Sequence, residues 1–253
     1  MKRLISFLLL LGLLFSCEPS RHTLTLMTYN VGAFSKYMDN STEEVARLIL
    51  DNEADYVALN ELDSCNRRHP NYQLADLAAG LGGWSYQFAS AFPYAGGGYG
   101  NGVVTSQPVE EGYRLLLPKG DGSEQRSVAV VETPDCVFAS VHLDHKGQTA
   151  AYEQMKVVNE WFASKYAGYT KPVFLCGDFN VTPDSEVIEL AKTCWTQLSG
   201  VDYTHSTTRP RHCIDFVFAL KAAAPVQVLG SVVLTEGTAE LSDHFPVKVT
   251  VEY

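Results

Sequence analysis

The sequence predicts an α/β domain, on three observations. Short apolar runs rich in β-branched residues recur along the chain, and several end in a single polar side chain. Helical patterns with one apolar face separate them. The stretch from Lys171 to Ser185 joins both features: Val173 to Cys176 reads as a strand buried on both faces, Gly177 breaks it, and Asp178 and Asn180 follow in a Gly/Pro-bounded loop before a helix opens at Ser185. An open α/β sheet holds its ligand crevice at such strand ends. Ionised Asp178 only accepts hydrogen bonds and suits the orientation or deprotonation of a water, whereas neutral Asn180 donates to a phosphoryl oxygen without adding charge. A strand-capping Asx turn is the other reading of this tetrapeptide.

The remaining elements follow in order. Thr23 to Thr28 alternates as a first strand that runs out into Asn30, and Ser41 with Glu44 forms a capping box for a helix carrying Val45, Leu48 and Ile49 on one face. Asp55 to Asn60 is a strand with Glu61 at its end, a carboxylate suited to a hard cation. Tyr72 to Leu81 reads as a helix and Trp84 to Phe88 as a strand. Gly96 to Gly102 reads as a glycine-dense loop that leads into Val103 and Val104 and carries Asn101. It lacks a Walker lysine, so its glycines serve close passage of the backbone past a ligand or a strand. Strands are then expected over Gly112 to Leu117, over Arg126 to Val131 with Arg126 at the mouth, and over Cys136 to Val141 with His142 at the end. Gly147 to Tyr166 is the longest helix. After the helix Ser185 to Lys192 come an irregular polar stretch, a strand Ile214 to Phe218 with Asp215 inside it, a strand Val226 to Thr235, and a last strand Val247 to Val251 preceded by Asp243 and His244. An acid inside an apolar run requires a partner.

The first residues read differently. Lys2 and Arg3 precede an apolar run from Leu4 to Phe15, too short for a typical transmembrane helix and suited to a signal peptide. Leu14-Phe15-Ser16-Cys17 resembles a bacterial lipobox, with 1–17 as signal, Cys17 as the lipidated residue, 18–23 as tether and 24–253 as the folded domain. The expected location is the bacterial cell envelope, attached to a membrane through the lipid; a plain secretory signal is the alternative. Loss of Lys2 and Arg3 takes the formal net charge from −10 to −12. So acidic a protein has little long-range attraction for duplex nucleic acid. The other five cysteines are odd in number and irregular in spacing, which argues against a disulfide framework; Cys194 with Cys213 is the only pair considered for a bridge.

The polar residues at strand ends come in a specific order. Thr28-Tyr29-Asn30-Val31, Leu59-Asn60-Glu61, Tyr99-Gly100-Asn101, Glu124-Gln125-Arg126, Ser140-Val141-His142, Gly177-Asp178-Phe179-Asn180, Ile214 to Phe218 and Ser242-Asp243-His244 together resemble the endonuclease/exonuclease/phosphatase superfamily, the deoxyribonuclease I-like hydrolases. The match spans nearly the whole chain after the leader. It implies a four-layer α/β/β/α sandwich of two mixed β-sheets with outer helices, and Mg²⁺- or Mn²⁺-dependent cleavage of a phosphate ester. It further implies that Glu61 is the main metal ligand, assisted by Asp243 and Asn30. Asp178 would activate water, Asn180 would hold the phosphoryl group or that water, and Asp215 would pair with His244. His142 and His244 would touch the phosphoryl oxygens, with Arg126 near the phosphate and Asn30 and Asn101 among the substrate-binding residues. Asn60 stands where many members have Gln.

The expected substrate is a small or lipid-borne phosphate ester, met by a monomer, with Arg67, Arg68, Arg209 and Arg211 as local charges near the mouth. A secreted nuclease and a lipid-anchored, non-catalytic phosphate-binding module are the alternatives.

Overall fold

The computed structural model describes residues 22–209 and 211–253. The leader, Cys17 and all but the end of the expected tether therefore lie outside the described residues. Thr23 does not belong to the tether: it opens strand β1, Thr23–Asn30, and pairs with Glu252. After a 3-10 turn at Gly32–Phe34 come α1 (Thr42–Asp51), β2 (Tyr56–Ser64), α2 (Gln73–Gly80), β3 (Ser85–Tyr94), β4 (Gly97–Thr105), β5 (Glu111–Leu116), β6 (Ser127–Glu132), β7 (Val137–His142), α3 (Gln148–Tyr166), β8 (Val173–Asp178), α4 (Glu186–Cys194), β9 (Trp195–Gln197), β10 (Asp215–Leu220), β11 (Gln227–Val233) and β12 (Val247–Glu252).

The strands form two six-stranded sheets, β11-β12-β1-β2-β4-β3 and β5-β6-β7-β8-β10-β9. Both are mixed: β1 with β2 and β7 with β8 are parallel, and the other pairs are antiparallel. Alternation along the strands gives each sheet an inner and an outer apolar face. Leu26, Ala58, Val103 and Val249 of the first sheet meet Ala129, Phe138, Phe174 and Val217 of the second in a central core. Val45, Ile49, Leu74 and Leu77 of α1 and α2 pack on the outer face of the first sheet. Met155, Val158 and Phe162 of α3, with Val187 and Ile188 of α4, cover the second. The result is the expected sandwich with helices outside.

Register sets the position of the site. Asn30 lies beside Asn60, and Asp178 lies beside both His142 and Asp215. All these polar residues thus gather at one end of the sandwich.

Four further expectations change. Gly96 to Gly102 is not a loop: Gly97 onward is strand β4, and the glycines serve strand contact, since a Cβ on Gly100 would sit 2.1 Å from the Ala89 carbonyl oxygen. Gly177 does not end its strand, which runs to Asp178. The capping box at Ser41 does not form: the Ser41 hydroxyl donates to Phe34 O, and Asn40 Oδ1 accepts from Thr42 N. Cys194 and Cys213 are free thiols. Strand β9, three residues long, had no periodicity to announce it.

Gly177 has a φ of +150°, and a Cβ there would lie 1.8 Å from Val141 O on the neighbouring parallel strand. Gly177→Ala is expected to destabilise the protein by at least about 1–3 kcal/mol, measured by urea denaturation. An unchanged midpoint would contradict the close approach of β7 and β8.

Candidate active site

Asn30 joins the two sheets at the site. Its Nδ2 donates to Glu61 Oε1 and to Asp178 Oδ2, each at 3.1 Å, so one amide holds a carboxylate from each sheet. Its Oδ1 accepts from Gly32 N, and Ser242 Oγ donates to its carbonyl. Glu61 reaches this place through a bulge: the β2–β4 register slips between Leu59 and Leu62, and Glu61 has a φ of 59°. A bulge re-aims one side chain out of the pleat. Asp178 is held from below, its N–H donating to Asn60 Oδ1 and its Oδ1 accepting from Asn180 N.

A second set of contacts surrounds the same carboxylate. His244 Nδ1 meets Asp215 Oδ2 at 2.9 Å, which gives the buried acid the partner it requires, and its Nε2 lies 3.6 Å from Asp178 Oδ2. His142 Nε2 lies 3.5 Å from the same oxygen. The far nitrogen of His142, Nδ1, accepts from Arg126 Nη1 at 3.2 Å. Arginine only donates, so His142 is the tautomer with its proton on Nε2, facing Asp178. Arg126 is buried, also donates to His145 Nδ1, and pairs with Glu124.

These surroundings divide the two histidines. Burial and the charge of Arg126 hold His142 well below its ordinary pKa, so it is a neutral donor. Burial opposes charge on His244 too, but the carboxylates of Asp215 and Asp178 outweigh it and raise its pKa. Asp178 is raised in turn, first by burial, with Asp215 adding and His244 opposing. A pair of acid and base with displaced pKa values is the usual sign of proton-transfer chemistry.

The other expected residues are placed as follows. Asp243 binds Lys36 Nζ at 2.6 Å, and Lys36 also lies in the field of Glu61. Asn180 adopts a φ of 54° and its amide donates to Leu143 O, which pins the loop. Asn101 Nδ2 donates to Ser127 O and so ties β4 to β6. Arg68 is bound to Asp63, while Arg67, Arg209 and Arg211 are exposed. Sequence reasoning missed Lys36, the His205 ring tilted against that of His244 with centroids 4.6 Å apart, and the side chain of Asn60 as a clamp. Lys36 and His205 lie in irregular segments, where no periodicity marks a direction.

Two groups of side chains offer ligands to a cation. Asp178, Asp215 and His244 have ligand atoms within 4.8 Å of one another. There, however, His244 Nδ1 is already engaged by Asp215. Glu61 and Asp243 are the better pair: both are hard oxygen donors, and the Lys36 ammonium against Asp243, in the field of Glu61, already occupies the place of a cation. The residues fit Mg²⁺ or Mn²⁺.

Residues 27–244 match the model of the Endonuclease/Exonuclease/phosphatase family. The chain belongs to that family. No curated protein matches it. Among solved structures it is similar to an endonuclease/exonuclease/phosphatase from Bacteroides vulgatus, at 21% identity over 91% of this chain and 98% of that one, with a TM-score of 0.73. A mannosyl-6-phosphatase from Bacteroides thetaiotaomicron matches at 21% identity over 90% and 99%, TM-score 0.71. ANGEL2, a 2',3'-cyclic phosphatase, matches at 13% identity over 92% and 95%, TM-score 0.73. At these identities the likeness is one of fold.

The raised pKa of His244 depends on Asp215. In the wild type the ring is expected to stay charged through neutral pH and to lose its proton only as pH rises through the raised value. In Asp215→Asn it should titrate at lower pH. NMR of ¹⁵N-labelled histidine reads both; an unchanged titration would contradict the pairing.

Proposed function

We propose that this member of the endonuclease/exonuclease/phosphatase family is a Mg²⁺- or Mn²⁺-dependent hydrolase of small phosphate esters. The observation that carries the reading is the meeting of a raised carboxyl, Asp178, with a charged imidazole, His244, beside the carboxylate of Glu61. In this reading Asp178 orients the attacking water and takes its proton. His244, held charged by Asp215, donates to the phosphoryl group or the leaving oxygen. His142 presents a neutral N–H to a phosphoryl oxygen, its tautomer fixed by Arg126. Glu61 and Asp243 hold the cation, with Asn30 positioning Glu61 against Asp178. When bound, the cation neutralises the charge on the phosphoryl oxygens and polarises the ester.

Charge and topology favour a small substrate. The formal charge of −12 after loss of Lys2 and Arg3 opposes binding to duplex nucleic acid, which argues against a nuclease. We also propose that Cys17 is lipidated and that the monomeric domain hangs from an envelope membrane. β1 begins at Thr23 and ends at Asn30, so the tether would enter about 25 Å from the site, at the opposite end of the strand. The five residues between Cys17 and Thr23 let the two lie at most about 20 Å apart. A site at the far end of the strand from its tether supports a soluble ester over a phospholipid of the same membrane.

Release of inorganic phosphate from a panel of monoesters and diesters tests the reading. Turnover is expected with Mg²⁺ or Mn²⁺ and is expected to stop with EDTA. Asp178→Ala should lower kcat by about 10²–10⁴, and Glu61→Gln should raise the metal concentration needed for half-maximal rate. Tight binding of a phosphate ligand with no turnover would favour a binding module instead. The pH profile should lose its acid limb well above the ordinary carboxylate range, because Asp178 must be ionised and its pKa is raised. The alkaline limb should lie above the ordinary histidine range. Intact-mass analysis of the exported protein reports on Cys17: an added diacylglyceryl group is expected, and an unmodified N-terminus at or after Cys17 would mean free secretion.

A further inference from the structure

Beyond the phosphoryl site, β2, β3 and β4 carry a group of side chains to which the reaction assigns no part. Asp63 pairs across the ladder with Tyr99, and each lies two residues from a site residue, Glu61 and Asn101. Two residues along a strand are about 6.6 Å, so the group begins one step outward from the site. Tyr99 shares a face of β4 with Asn101, the face whose amide reaches Ser127 on the second sheet. The wall therefore borders the seam between the sheets at the end that carries the site.

The group is aromatic and held rigidly. The Tyr99 ring lies 5.3 Å from Phe92 and 6.2 Å from Tyr94, centroid to centroid. The Arg68 guanidinium lies 4.9 Å from the Tyr94 ring centre and 5.9 Å from that of Tyr99. Asp63, whose side chain is fully buried, grips Arg68 at Nε and Nη2, 2.7 and 2.9 Å away. His69 Nδ1 meets the same carboxylate at 2.6 Å. The outer surface stays open: Tyr94 is 38% exposed and the Arg68 side chain 43%. The Tyr99 phenol is raised first by burial, and then feels Glu61, Arg126, Glu124 and Arg68, which ties the wall to both sides of the crevice.

We infer that Tyr94, Tyr99, Phe92 and Arg68 form a subsite for the organic part of the ester, and that this part is a ring. The inference rests on the phosphoesterase reading. A fixed guanidinium on an aromatic wall offers what a ring uses: a flat apolar surface for stacking, and N–H groups not engaged by Asp63 for its oxygens. A flexible acyl chain makes no use of the guanidinium. The ring is either the apolar face of a sugar or an aromatic group, since both stack on tyrosine.

Steady-state kinetics on three alkyl monoesters of similar leaving group decide it: a hexose 6-phosphate, benzyl phosphate and glycerol 3-phosphate, each with saturating Mg²⁺. The wild type is expected to prefer at least one ring-bearing ester by kcat/KM. Tyr94→Ala should reduce that preference by about tenfold, through KM, while Tyr94→Phe should retain it. Preference for the hexose ester assigns the subsite to sugars, and preference for the benzyl ester to aromatic groups. If Tyr94→Ala does not fold, Tyr94→Leu, which keeps apolar bulk but no ring, takes its place with the same expected loss. Turnover with equal kcat/KM on all three esters, or a preference that survives loss of the Tyr94 ring, overturns the subsite and leaves the phosphoesterase reading standing. No turnover of any ester with Mg²⁺ or Mn²⁺ overturns both.

Discussion

Asn60 joins the two sheets where their parallel strands end. Its Nδ2 donates to Val141 O and Ser140 Oγ on β7, and its Oδ1 accepts from Asp178 N on β8. Ser140 Oγ returns a bond to Leu59 O. Every one of these groups is buried, so each would carry a desolvation penalty if the sheets slid by one residue. Apolar packing between sheets is tolerant of small shifts, whereas a closed set of buried hydrogen bonds is not. This clamp fixes the first sheet, which supplies Asn30 and Glu61, against the second, which supplies His142, Asp178 and Asp215.

The acids at that junction differ in their neighbours. Asp178 and Asp215 both face His244 in a buried space. Glu61 and Asp243 lie nearer the surface, beside an ammonium. The same residue type thus meets two environments, set by burial and partner. His142 and His244 divide likewise: burial, then the charge of Arg126, lowers the pKa of one, and the carboxylates of Asp215 and Asp178 raise that of the other against its burial.

Much of the fold was legible because its strands are short apolar runs with polar ends. Of the polar ends, Asn30, Glu61, Arg126, His142, Asp178, Asp215 and His244 gather through direct contacts. What failed was local. Glycines in β4 read as a loop because packing between backbones leaves no apolar signal, and Gly177 read as a stop for the same reason. Ser41 carried a capping-box pattern, but its hydroxyl is spent on the chain around Phe34 and Leu241. Lys36 and His205 come from irregular segments and meet the site through tertiary contact alone. The side chains of Asn101 and Asn180 each give one N–H to a backbone carbonyl and keep a second.

The division of the acids into a cation pair and a proton-transfer pair is the centre of the account. Anomalous diffraction from crystals grown with Mn²⁺ tests it most directly. The account predicts a peak between the carboxylates of Glu61 and Asp243, with Lys36 turned away and His244 still bonded to Asp215. A peak enclosed by Asp178, Asp215 and His244, with that bond broken, would contradict it.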